Sequence, residues 1–541
     1  MVHTGILTVL TDDKRLELPL AEGMSVLDVL SDAGVGGIHS PCGGNGLCGK
    51  CLVQEVGDSH LPIHPDERRL LSAPLIDQHI RLACRLKPEA GHDMTIALIS
   101  STRQAQVVSR FQDRATHTQV RKGFPSPSYG YAIDIGTTTV VVYLVRIDTG
   151  EILGHRSSLN PQTSYGGDVI TRIQYTNEHP GGLLLLQKVI VRQLDHLMKD
   201  LMKTHQIQTE RIKEIVAVGN PTMIHLLVGK DPSGIAVAPF VPTITGPLSL
   251  MATDVGFSGL PHTNLILPGG VSAYVGSDIT VGVRSSHITD DTLPVLYIDI
   301  GTNGEIVLYD GKDISCCSSA AGPAFEGASI TQGMGAVEGA IDRVWLSEGG
   351  SVEHSTIGSV PAVGICGSAI IDIMALLLTL GLVDETGAMD DEHPLRGTYL
   401  HLSNGSLAFR ITDTVSFTHG DVRQVQLAKA AIAAGSAVLL TEAQLGISDL
   451  GSVVIAGGFG SFINVKSARR IGLLPQVETE KIIAIGNAAG RGALDVLLLE
   501  DEARYVEQIR ERARYVELSS SDLFNECYVE QMMFMEETLE S

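Results

Sequence analysis

The chain opens on an alternation of apolar and polar positions. GILTVLTDDKRLELPL, residues 5–20, reads as two period-two strands folded about Asp12 and Asp13. SVLDVLSDAG, 25–34, changes to helical spacing, with Ser25 as cap and Asp28 three residues on. CLVQEVGD from 51 is the next strand, and IRLACRL from 80 a further apolar stretch. Beyond residue 127 the pattern changes to longer apolar runs. YAIDIGTTTVVVYLV from 131 and LYIDIGTNGEIVLYD from 296 each place an apolar strand on either side of Asp-Ile-Gly-Thr, which makes them an internal duplication. DLGSVVIAGGFGSFINV from 449 holds an apolar strand ending at Ile455, preceded by the small-residue helix QVQLAKAAIAAGSAVLLTEAQLG. Buried strands alternating with close-packed helices predict a multidomain α/β chain.

Composition narrows the partners. At 541 residues there is room for three or four domains. A net charge of −23 argues against nucleic acid or an anionic membrane surface, since both need a basic face. One tryptophan and 4% aromatics leave no stacking platform for bases. The apolar run IMALLLTLGLV, 373–383, is too short to cross a bilayer. No basic region followed by an apolar run opens the chain, so no export signal is read and a reducing cytoplasm is expected. Residues 101–126 break the acidic average, with Arg103, Arg110, Arg114, Arg121 and Lys122 against Asp113 alone. They suit a solvated linker or a docking strip for an acidic partner.

Thiols carry the first chemistry. CGGNGLCGKC, 42–51, sets Cys42, Cys48 and Cys51 among glycines, and Cys84 is the nearest fourth; Cys316, Cys317, Cys366 and Cys527 lie far along the chain. Disulfides do not suit a reducing compartment, and structural zinc usually takes two close pairs of ligands. Three ligands on one loop with a distant fourth are the spacing of plant-type 2Fe-2S ferredoxins, and the one extra residue in the first gap resembles their adrenodoxin-like branch. The flanking strands and helix resemble the β-grasp ferredoxin fold over residues 1–98. The adjacent Cys316 and Cys317 read as small buried side chains, and His225 as a core residue.

Phosphate carries the second. A hairpin turn of glycine and hydroxyls offers donors to phosphate oxygens, and an aspartate at its mouth can hold Mg²⁺ through water. Gly136, Thr137, Thr138 and Thr139 form one candidate cradle; Gly301, Thr302, Asn303 and Gly304 form the other. Gly457, Gly458 and Gly460 would let backbone approach a nucleotide. Asp134 and Asp299 are the candidates for metal and water positioning, with Glu305 or Glu326 to orient water. Two hairpins followed by a glycine loop resemble the actin, sugar-kinase and heat-shock-chaperone ATPase superfamily. That resemblance implies a two-lobed, ribonuclease-H-like body with a small-residue helix after each half, crossing at the hinge; VAVGNPTMIHLLVG from 216 and AIGNAAGRGALDVLL from 484 stand at those positions. Domains are expected at 1–98 (ferredoxin), 99–127 (linker), 128–250 (first lobe) and 251–541 (second lobe and C-terminal part).

Together the cluster loop, DIGTTT, LNPQTSYGGDVITRI, VGNPTM, DIGTNGE, AAGPAFEGA, LAKAAI, AGGFGSF and IGNAAG resemble the reductive activators of corrinoid-dependent enzymes. The resemblance implies a 2Fe-2S cluster, ATP and Mg²⁺, and delivery of one low-potential electron that returns cobalt(II) corrinoid to cobalt(I) in a methyltransferase system. It further implies a cytoplasmic homodimer that docks a corrinoid-binding protein and draws on a cellular low-potential donor. ATP makes sense for a difficult electron: each ~59 mV uphill costs about tenfold in equilibrium, and plant-type clusters lie near about −400 mV. Other classes remain open: a small-molecule kinase with a fused ferredoxin, or a nucleotide-gated clamp for another redox partner. An activator of radical dehydratases, which resembles a layout without an N-terminal ferredoxin domain, is argued against by the loop at 42–51. Asn160, Tyr165, Asp168 and Arg172 fit either helix capping or a cleft contact.

Overall fold

The computed structural model describes the chain except residues 1–4, 12–14, 21–22, 34, 36–37, 39, 41–43, 45, 47–48, 58–59, 72, 89–90, 99–120, 122, 404, 459 and 536–541. Gly5–Leu10 and Arg15–Leu20 pair antiparallel, with Leu7 and Val9 turned into the core. They belong to a five-stranded sheet ordered Arg15–Leu20, Gly5–Leu10, Met94–Leu98, Leu52–Val56, Ile80–Leu82. The last strand in sequence, Met94–Leu98, enters the centre of the sheet parallel to the first, which is the β-grasp arrangement. Helix Val26–Asp32 starts where the spacing predicts: the Ser25 N–H donates to Asp28 Oδ2 at 2.9 Å and the Asp28 N–H to Ser25 Oγ at 3.2 Å. Val26, Val29 and Leu30 of this helix join Val53, Leu82 and Ile96 in one small core.

A buried ion triad stiffens this domain. Arg81 is 1% exposed and donates to Glu55 Oε2 at 2.6 Å and to Glu67 Oε1 and Oε2 at 3.0 and 2.9 Å; the carbonyls of Leu61 and Pro62 take further N–H groups. Removing the cation strands two buried carboxylates, which costs on the order of 3–5 kcal/mol. Arg81→Met is therefore expected to lower the thermal unfolding midpoint of the ferredoxin domain by several degrees or more, read from loss of cluster absorption on heating. An unchanged midpoint would show that the triad does not hold the domain.

Two six-stranded sheets of matching order form the body, and two three-stranded sheets, within residues 340–365 and 400–418, are added to the second. The first runs Leu248–Met251, Asn264–Leu267, Ile212–Gly219, Tyr129–Ile135, Thr139–Arg146, Glu151–Leu159. The second runs Ile482–Gly486, Ser452–Ala456, Val295–Ile300, Gly304–Tyr309, Ile314–Ser319, Ala513–Tyr515. In each, the strand bearing the Asp-Ile-Gly-Thr aspartate has its hairpin partner on one side and a parallel strand on the other. This is the duplicated, two-lobed α/β body expected. The boundary expected at 250 cuts through Leu248–Met251, which pairs with Asn264–Leu267, so the first lobe's sheet runs on to Leu267.

The helices that cross at the hinge also differ from those expected. Ala488–Leu498 does cross a helix of the other half, but its partner is Ser277–Ser286, whereas Pro221–Val228 packs on the long helix Gly182–Thr204. Glycine permits the crossing at Gly492, where a Cβ would strike the Val281 carbonyl; Gly282 instead makes room for the Tyr297 hydroxyl, which a Cβ there would meet at 2.5 Å. Helix His419–Glu442 has the length and apolarity of a membrane span. Here it is the central helix of the second lobe, with Val422, Val425, Ile432 and Leu439 buried. The basic residues Arg103, Arg110, Arg114 and Lys122 lie outside the described residues. Arg121 is fixed on the body: it pairs with Glu214 and its N–H donates to the Leu498 carbonyl at 2.7 Å.

Candidate functional site

Two sites emerge, one in each part of the chain. Strand Leu52–Val56 begins directly after Cys51, and the turn after Ile80–Leu82 returns Cys84 to it, through an Ala83 N–H to Cys51 carbonyl bond of 2.8 Å. The two sulfurs stand 3.3 Å apart, both buried. Cys42 and Cys48 lie outside the described residues. Gly44, Gly46 and Gly49 have φ of +86°, +71° and +66°, in the left-handed region. A Cβ on Gly44 would come within 3.2 Å of Leu27, one on Gly46 would strike the Arg85 guanidinium, and one on Gly49 would lie 3.2 Å from Leu70. Two buried sulfurs side by side, near three glycine positions that leave no room for a Cβ, suit a 2Fe-2S cluster held by thiolates. Cys316 and Cys317 do not join them: they sit in strand Ile314–Ser319, and burial pushes the Cys316 thiol up to about 12, far from a reactive thiolate.

The second site lies between the lobes. The turns after Asp134 and Asp299 close in the same way, by the Gly136 N–H on the Thr139 carbonyl at 2.9 Å and the Gly301 N–H on the Asn303 carbonyl at 3.0 Å. The two hairpins face each other, with 3.4 Å between Thr138 Oγ1 and Thr302 Oγ1. Both hydroxyls donate to Glu326, Thr138 at 2.7 Å and Thr302 at 3.0 Å. Glu326 thus joins the first hairpin to the second. Above Asp299 lies the glycine loop, where Gly457, at φ +91°, could not carry a Cβ without coming 2.7 Å from Asp299 Oδ1. A Cβ on Gly460 would come within 2.9 Å of Ile455, whereas one on Gly458 would meet nothing within 4 Å, so that position opens outward.

The acidic groups at this point are too crowded to be ionised together. Burial pushes Asp134 up to about 6, with an opposing pull from the Asn487 amide that donates to it at 2.8 Å. Burial and then the charge of Asp134 carry Asp299 up to about 7. Glu305, register partner of Asp299 across the hairpin, is driven well above the carboxylate range by burial and by Asp278 and Asp299. A divalent cation would relieve this crowding of charge, but among the described residues no three acidic, His or Cys side chains stand close enough to chelate one directly, so it would be held through water.

Asp278 is the residue that sequence reasoning missed. It opens helix Ser277–Ser286, and burial followed by the charges of Asp299 and Asp134 pushes it up to about 8. The signal was Gly-Ser-Asp at a helix start. Asn220 and Asn487, at the starts of the two small-residue helices, hold the first hairpin. Asn220 donates to Thr137 Oγ1 at 2.9 Å, Asn487 donates to Asp134, and each caps its own helix through the Oδ1 atom. In the segment 159–173, Asp168 does cap helix Val169–Glu178. Asn160 and Arg172 do more. Asn160 donates to the Gly136 carbonyl at 2.9 Å, and Arg172, fully buried, donates to the Thr137 carbonyl. Tyr165 is buried in the first-lobe core, and His225 is buried with Nδ1 on the Pro221 carbonyl, a structural role.

A two-lobed body with facing phosphate-type hairpins, fused to a β-grasp domain with paired cysteines, defines an iron–sulfur protein of the actin and sugar-kinase ATPase class. Three family descriptions tile the chain: a 2Fe-2S iron-sulfur cluster binding domain over 9–89, the RACo middle region over 129–291, and the C-terminal, ASKHA domain of RACo over 294–541. The corrinoid activation enzyme RamQ of Eubacterium limosum is 37% identical over 421 residues, 75% of this chain and 70% of that protein. The [Co(II) methylated amine-specific corrinoid protein] reductase of Methanosarcina barkeri is 24% identical over 74% of this chain and 76% of its own. The solved reductive activator for corrinoid, iron-sulfur protein superposes over 98% of both chains with a TM-score of 0.71 and 30% identity. The chain belongs to the RACo family of reductive activators of corrinoid proteins.

Proposed function

We propose that the chain reduces a cobalt(II) corrinoid protein of a methyltransferase system to cobalt(I), one electron at a time, at the expense of ATP. The observation that carries this reading is the joining in one chain of the buried Cys51 and Cys84 with the facing hairpins of Asp134 and Asp299. Cys42, Cys48, Cys51 and Cys84 would hold a 2Fe-2S cluster, which supplies a single low-potential electron drawn from a cellular donor. Thr137, Thr138, Thr139, Thr302 and Asn303, with the glycines of both turns, would cradle the phosphates of ATP, and Gly457, Gly458 and Gly460 its adenosine. Asp134, Asp299 and Asp278 would hold Mg²⁺ through water; Glu305 or Glu326 would orient the attacking water. The names of the relatives support a corrinoid-binding protein as partner, and a methylated-amine system is one candidate for its source. A cytoplasmic homodimer belongs to the same reading.

The test is an anaerobic visible spectrum of a cobalt(II) corrinoid protein mixed with this protein and a low-potential reductant, with and without Mg-ATP. Cobalt(I) absorption that forms only with ATP is the expected result. Loss of ATP with a phosphorylated metabolite, and no cobalt(I), would favour a kinase. A reducible cluster with neither cobalt(I) nor ATP loss across several corrinoid proteins would favour a clamp.

A further inference from the structure

The ferredoxin domain is seated on both lobes at once, and each seat lies close to a hairpin. On the second lobe, Lys50, next to Cys51, donates through Nζ to the Gly333 carbonyl at 2.7 Å and reaches the Ile330 carbonyl at 3.4 Å. On the first lobe, Ser164 Oγ donates to the Ile38 carbonyl at 3.0 Å. Ser164 ends the turn Pro161–Ser164, which starts from Asn160, the residue that holds the Gly136 carbonyl and takes its own N–H to the Thr138 carbonyl at 2.8 Å. Ile330 lies four residues beyond Glu326, which accepts from Thr138 and Thr302.

The connection from Glu326 to Lys50 is stiff. A Cβ on Gly327 would sit 2.6 Å from the Met334 N, so the two ends of the loop touch. The Gly333 N–H donates to the Ile330 carbonyl at 3.0 Å, and Asp421 accepts from the Thr331 N–H and hydroxyl at 2.7 and 2.9 Å. Such a curl moves as one piece when its base moves. Its base is Glu326, and the Glu326 carboxyl occupies the hydroxyl donors that a phosphate chain would need. An arriving phosphate competes for Thr138 and Thr302, and a carboxylate beside it is repelled.

We propose that the ferredoxin domain is latched across the mouth of the cleft in the nucleotide-free chain, and that triphosphate binding unlatches it by displacing Glu326 from Thr138 and Thr302. The inference rests on the nucleotide reading above. It gives ATP a mechanical task separate from its hydrolysis: the cluster loop leaves the Ile330–Gly333 seat and is presented to a partner. Unlatching needs a ligand with differential affinity for the two arrangements, and a phosphate chain that cannot coexist with the Thr138–Glu326–Thr302 bridge has it.

Amide hydrogen exchange of the full-length, cluster-loaded protein tests this, with a non-hydrolysable ATP analogue and Mg²⁺, while calorimetry measures analogue binding to the same sample. Bound analogue is expected to lower protection of residues 49–57 and 327–334 by about tenfold or more. Ser164→Trp, which blocks the Ile38 seat, is expected to lower protection of residues 49–57 without nucleotide. Lys50→Gln gives a second unlatched variant, its cluster checked by absorption. Analogue that binds while leaving exchange unchanged at 49–57 overturns the latch and leaves the proposed function standing. Analogue that does not bind overturns the nucleotide reading and the latch with it.

Discussion

Asp299→Ala is expected to lower ATP turnover by about 10²- to 10³-fold while the cluster spectrum stays that of the parent. Asp299 ends strand Val295–Ile300 at the mouth of the second hairpin, beneath Gly457 and beside Asp134, Asp278 and Glu305. On the proposed reading a group there would act on a cation and on water at the γ-phosphate, with Glu305 its only acidic register partner on the second hairpin. Asp299 is no part of the ferredoxin core of Val53, Leu82 and Cys84, so the iron–sulfur absorption serves as an internal control. Folding supplies a second control. Asp299 is held up to about 7 by burial and by Asp134, so removing it relieves crowding. Metal-free Asp299→Ala should therefore melt no lower than the parent near pH 8, where Asp134 and Asp299 of the parent are ionised against their preference. Full turnover in the variant would remove Asp299 from the chemistry, and a lower melting temperature would show that it serves the fold.

Much of this arrangement was legible because it is local. An Asp-x-Gly turn between apolar strands can form little besides a hairpin, and its repetition gave the two lobes. The ferredoxin strands alternate because one face is buried, and the glycines around the cysteines mark a loop that turns inward. What stayed hidden depends on partners distant in sequence. Both Pro221–Val228 and Ser277–Ser286 are good helices with small or apolar faces. Which one meets Ala488–Leu498 is decided by a contact between segments some two hundred residues apart. The Leu248–Met251 and Asn264–Leu267 strands are four residues each, too short for a period to stand out. Arg172 reads as a surface charge near a helix start until the Thr137 carbonyl shows where its guanidinium goes. Glu326 was singled out for water, and its link between the hairpins became visible only when Thr138 and Thr302 were brought to 3.4 Å.

Cys84→Ser should abolish the visible charge-transfer absorption of the 2Fe-2S cluster, or reduce it to a small labile fraction, and bring cobalt(I) formation down to the background seen without the protein. Cys84 is buried against Cys51 at 3.3 Å, so a serine oxygen would replace a soft thiolate at a position where water cannot stand in for it. The exchange is close to isosteric, and the Arg81 triad that fixes the neighbouring strand is untouched. The apo domain is therefore expected to keep its sheet, which far-ultraviolet circular dichroism would register. ATP turnover should survive at a rate near the parent's, because the cleft hairpins belong to the two six-stranded sheets and Cys84 to the ferredoxin domain. Loss of the electron with retention of the nucleotide chemistry is the separation that two machines in one chain demand. If the parent protein instead carried zinc without visible absorption, the cluster would be wrong at its root. If Cys84→Ser kept the full spectrum, the distant ligand would have to be sought elsewhere in the chain.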